Sequence, residues 1–96
     1  MDLARLLKSV GQRTFVTYYR EFGDSTLGNS DVADILLKRE GFTEKACRSK
    51  TTHARDIFGQ GLEVAALKAI AASTRADNQV TANAARELLH RQGIGA

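Results

Sequence analysis

The sequence has no proline, a single cysteine and two histidines in 96 residues, and each scarcity removes a class of protein. Without proline there is no rigid, extended linker, so punctuation of the chain falls to its eight glycines. The lone Cys47 cannot close an internal disulfide, which excludes a disulfide scaffold and fits a reducing, cytoplasmic setting. His53 and His90 stand in no zinc-site spacing and form no i, i+4 pair, so no metal or other cofactor is expected and both read as solvated helix residues. No apolar run is long enough to span a bilayer, and the stretch from Met1 to Val10 is interrupted by Asp2, Arg5 and Lys8. It reads as a first helix rather than a secretory signal, and no membrane partner is expected.

What remains is the composition of an ordinary globular domain, 43% hydrophobic and 26% charged. A chain of this length buries somewhat over ~60% of its unfolded surface, enough for one core. There is no internal repeat, long linker or strand pattern, so residues 1–96 are expected to form one domain whose last few residues are disordered.

The apolar spacing is helical throughout. Leu3, Leu6, Leu7 and Val10 repeat at i, i+3, i+4, i+7 up to Gly11, and Phe15, Tyr18, Tyr19 and Phe22 repeat the spacing up to Gly23. The second stripe carries four of the six aromatic residues and is expected to be core. After a turn at 24–29, Asn29 or Ser30 can cap a third helix to Glu40 with Val32, Ile35 and Leu36 inward. Gly41-Phe42-Thr43 is a turn, with Thr43 capping a fourth helix to about Phe58 and Phe42 and Cys47 spaced as a hydrophobic staple. Residues 62–73 are rich in Ala, Leu, Ile and Val, which predicts a fifth helix in the middle of the fold. A last helix over 79–92 places Val80, Ala84 and Leu88 on one face, with Asp77 or Asn78 as its cap. The expected fold is all-α, a compact bundle of five or six short helices with a helix-turn-helix-like pair.

Signs of catalysis are weak. Gly59-x-Gly61 follows no strand and has Val64 where a dinucleotide-binding loop needs its third glycine, and the carboxylates are scattered at one or two per helix. Cys47 lies near Lys45 and Arg48, which favours a thiolate, but on the helical wheel it falls beside Thr51, Ala54 and Phe58 as a small buried hydrophobe would. No enzyme is expected.

The charge is more telling. Net charge is +3 from fourteen Lys/Arg against eleven Asp/Glu. Residues 38–55 hold six basic residues against two acidic ones, or +4, while the other eight basic and nine acidic residues leave −1. At 100° per residue Ala46, Cys47, Thr51, Ala54, Ile57 and Phe58 share one side of the fourth helix, and Lys45, Arg48, Thr52 and Arg55 lie opposite. A recognition helix has this form: one face docks on the preceding helix while basic and hydroxyl side chains reach phosphates and base edges. The pair departs from the usual helix-turn-helix pattern at Leu37, where a small residue is common, and at Glu40, where an apolar one is. Lys50 falls on the inward stripe, so either its stem runs along apolar surface to water or the helix breaks near Ser49.

The expected function is non-enzymatic binding of nucleic acid, double-stranded DNA first, through Lys45, Arg48, Lys50, Thr52 and Arg55, with Thr43 and Lys50 as secondary phosphate contacts. The alternative is a protein-interaction or structural module, such as a homodimer joined through apolar surface of the second or last helix.

Overall fold

The structure, a computed structural model, describes residues 3–94. Seven α-helices follow one another: α1 (Leu3–Val10), α2 (Gln12–Thr17), α3 (Tyr19–Gly23), α4 (Asn29–Glu40), α5 (Glu44–Gly59), α6 (Glu63–Ala71) and α7 (Gln79–Arg91), with a 3-10 turn over Ala76–Asn78 leading into α7. The described residues contain no strand. The expectation of a disordered end falls partly on residues 95 and 96, outside the described residues.

The apolar stripes predict the core well at the amino-terminal end. Leu6, Leu7 and Val10 of α1 are buried, as are Phe15, Tyr18 and Phe22. The aromatic helix, however, is two helices. Tyr18 leaves helical geometry at φ −110°, ψ 24°, although Tyr18 N still donates to Thr14 O at 3.0 Å and Phe22 N to Tyr18 O at 2.9 Å. The residue at this kink is anchored elsewhere, since Tyr18 Oη donates to Glu40 at 2.6 Å. Phe15 packs on Phe22 at 6.3 Å between centroids and on Tyr19 at 5.6 Å, and Phe58 arrives from α5 to lie 5.0 Å from Tyr19.

Gly28, not Asn29 or Ser30, occupies the cap of α4, and the Asp31 carboxylate accepts from its backbone N–H at 2.9 Å. An acid three residues into the helix satisfies a donor of the first turn without a capping hydroxyl. Gly41 ends α4 in the left-handed conformation at φ 71°, which glycine adopts without steric penalty. Thr43 then caps α5 as expected, its Oγ1 accepting from Ala46 N at 3.1 Å.

The middle of the fold is α5, not α6: α5 packs against α1, α3, α4 and α6 and buries Cys47, Thr51, Ala54 and Ile57. Its partner α6 lies chiefly against α7 and leaves Ala65 and Ala69 exposed. Alanine explains the difference, because a face of single methyl groups exposes little apolar area and tolerates water. On α7 the buried set is Ala82, Ala85 and Leu89, with Ala84 and Leu88 at the flank and Val80 85% exposed, so the inward face is turned from the one the sequence suggests. Neither expected cap residue caps α7 through its side chain. Asp77 pairs with Arg75 at 2.9 Å, and Asn78 Nδ2 donates to Gln12 Oε1 at 2.6 Å, tying α7 to α2.

Candidate nucleic-acid interface

The unit from α4 through Gly41-Phe42-Thr43 to α5 carries the basic cluster. Helix α5 runs unbroken through Ser49 and Lys50, so the second of the two alternatives for Lys50 does not arise. Its stem passes along the apolar side as the first requires, but its end meets protein. Lys50 Nζ donates to the carbonyl of Val10 at 2.9 Å and stands 5.1 Å from the centre of the Phe42 ring. A cation at the last turn of α1 satisfies one of the carbonyls left without a helical partner and opposes the negative end of the helix dipole.

Arg55 is held in a similar way. Its guanidinium donates to Asp24 O at 3.2 Å and Glu21 O at 3.4 Å, closing the carboxyl end of α3, and it is half-buried. Thr43 is engaged as the α5 cap. Two more cations of the cluster are paired: Lys38 with Asp34 at 2.9 Å and Arg39 with Glu21 at 3.6 Å. The bond from Asp34 raises the Lys38 pKa.

Lys45, Arg48 and Thr52 remain. All three are exposed on one side of α5, and no hydrogen bond or ion pair to another described residue engages their side chains. The structure therefore divides the five sequence-derived residues, bringing Lys45, Arg48 and Thr52 together on the open face and turning Lys50 and Arg55 to internal carbonyls. Ser49 is exposed beside them, and His53 Nδ1 lies 2.7 Å from Ser49 O, which fixes that nitrogen as the donor and turns Nε2 away from the bond. Neither Ser49 nor His53 stands out in the sequence as a binding residue, and their i, i+4 spacing is the one local signal that joins them.

Arg48 also borders a shallow groove of about 230 Å3 between α4 and α5, with Ala33, Leu37 and Cys47 along it and Asp34 and Glu44 at the rim. Leu37, which departs from the usual helix-turn-helix pattern, is 40% exposed there. Glu40, the other departure, is not solvated: it accepts from Tyr18 Oη at 2.6 Å and from Arg13 at 3.1 Å. These bonds hold its carboxyl below the usual range. Cys47 is 1% exposed, burial pushes its thiol pKa up, and its Sγ faces Phe42 O at 3.8 Å. It is a buried hydrophobe rather than a nucleophile.

Among the described residues no group of three or more His, Cys, Asp or Glu side chains is placed to hold a metal ion, and no helix is long and apolar enough to cross a membrane. No protein-family model, curated protein or solved structure matches the chain.

Proposed function

We propose that this chain is a non-enzymatic nucleic-acid-binding module that lays the first three turns of α5 against duplex DNA, in the manner of a helix-turn-helix unit. The observation that carries the reading is the contrast within the cluster. Lys38, Arg39, Lys50 and Arg55 have internal partners, whereas Lys45 and Arg48 have none and share one exposed face with Thr52. Cations that form no ion pair on the outer face of a helix docked on its predecessor are what phosphate contact requires. Thr52 and Ser49 add hydroxyls that donate to phosphate or to base edges.

Lys50 and Arg55 act one step back in this reading. They fix α5 to α1 and α3 and make no contact with the duplex. A nitrogen-15 chemical-shift titration with mixed-sequence duplex tests the reading residue by residue. The expected result is that amides over 43–53 shift while those of α6 and α7 do not. Shifts confined to other helices, or none at low salt, would refute it.

A protein-binding role has two observations in its favour, the half-open Leu37 at the α4/α5 groove and the 85% exposed Val80 on α7. On the aromatic stripe of α2 and α3, Phe15, Tyr18 and Phe22 are buried and only Tyr19 is partly exposed. If that groove joins two copies of the chain, light scattering shows a dimer that Leu37→Glu converts to monomer.

A further inference from the structure

The groove between α1 and α6 takes no part in the nucleic-acid reading and has a chemistry of its own. It has a volume of about 570 Å3 and is walled by Leu3, Ala4 and Leu7 of α1 and by Ala69 of α6. Among the described residues its only polar side chains, Lys8 and Gln12, flank Gly11 at the carboxyl end of α1, and none of its described lining residues is acidic. From Leu3 to Gly11 the helix rises about 12 Å, the length of a medium aliphatic chain.

The polar end is donor-rich. No hydrogen bond or ion pair to another described residue engages the Lys8 side chain. Gln12 Oε1 already accepts from Asn78 Nδ2 at 2.6 Å, which leaves the amide NH2 of Gln12 as its open group. An apolar trough with ammonium and amide donors at one end, and no competing carboxylate among its described lining residues, complements a carboxylate head on an aliphatic tail. The volume falls in the range of roughly 300–1,000 Å3 typical of small-ligand sites.

We infer that this groove binds a free aliphatic monocarboxylate of medium chain length. The tail lies along Leu3, Ala4, Leu7 and Ala69, and the carboxylate meets Lys8 Nζ and Gln12 Nε2. The concave form selects a single tail rather than a membrane surface, which needs a protruding apolar face.

Titration of the full chain with octanoate, octanol and octyltrimethylammonium, read by amide chemical shifts, tests this. Octanoate should give saturable shifts over residues 3–12 and around Ala69, and the other two should bind roughly tenfold more weakly or worse, since they lack the charge-assisted bonds. Lys8→Gln should weaken octanoate about tenfold and leave octanol unchanged. Ala69 is exposed, so Ala69→Phe keeps the fold, fills the trough and should abolish binding of all three. Octanol binding as tightly as octanoate, octanoate binding that survives Ala69→Phe, or the lack of any saturable shift would overturn the inference. Duplex binding by the Ala69→Phe protein should be unchanged, which separates failure here from failure of the nucleic-acid reading.

Discussion

The ammonium of Lys50 donates to the carbonyl of Val10 at 2.9 Å and so fastens the middle of α5 to the last turn of α1. The carbonyl belongs to a fully buried residue, and the cation is the donor that satisfies it. Lys50→Met keeps the apolar stem over Phe42 and removes the donor. The loss should be about 1–3 kcal/mol in urea unfolding, the cost of a buried acceptor left without its bond. Because Lys50 is turned inward, the folded Lys50→Met protein should bind duplex with unchanged affinity.

Gly23 and Phe58 meet more closely than any larger residue would allow. A β-carbon on Gly23 would stand 2.8 Å from Phe58 Cε1 and 3.1 Å from Cζ, and the Phe58 ring is pinned by Phe15 and Tyr19. Gly23→Ala should therefore lower stability by about 1–3 kcal/mol through overpacking, even though alanine is the better helix former. In a double-mutant cycle with Phe58→Leu the two losses should sum to more than the loss of the double variant, because the smaller side chain removes the clash.

Tyr18 and Glu40 make stability depend on pH at both extremes. Burial, then the bond to Glu40, push the Tyr18 pKa up from 10.0 to about 12. The folded protein thus keeps a proton that the unfolded chain loses first, and the contribution is complete below pH 10 and disappears between pH 10 and about 12. Glu40 has the opposite sign. The bonds from Tyr18 and then Arg13 hold its carboxyl below the ordinary 4.5, so its contribution is present above that value and lost as pH falls through the folded pKa. Urea midpoints measured across pH should fall at both ends. Tyr18→Phe should flatten the alkaline limb and leave tyrosinate absorbance to Tyr19, whose own pKa is raised by burial.

The Cys47 thiol is buried and its pKa is raised, so a thiol-specific disulfide reagent should label it slowly in the native protein and at once in denaturant. Fast native labelling would contradict the packing of α5 on α4.

The helices were legible because glycine and apolar spacing are local signals. Gly11 and Gly41 do end their helices, at φ 89° and 71°, and Thr43 starts α5 where a capping hydroxyl is expected. The errors lie where tertiary contacts decide. Nothing near Val80 in sequence shows that α7 turns Ala82, Ala85 and Leu89 toward the core, and the Ala-rich α6 looks central only if apolar composition is equated with burial. The candidate site shows the same limit. A count of charge treats Lys50, Arg55, Lys45 and Arg48 alike, whereas the fold brings the Val10 carbonyl to Lys50 and the Asp24 and Glu21 carbonyls to Arg55 from far away in sequence. Only the folded chain distinguishes a cation that joins helices from one that faces solvent.

The most direct test is the salt dependence of duplex affinity for the parent chain, the Lys45→Ala/Arg48→Ala pair and Lys50→Met, measured by fluorescence anisotropy. Each phosphate contact removed should lower the slope of log affinity against log salt by roughly 1. The double variant should therefore lose about 2 from the slope and most of its low-salt affinity, while Lys50→Met matches the parent. Equal slopes for the parent and the double variant, or a loss confined to Lys50→Met, would contradict the assignment of the interface to the outer face of α5.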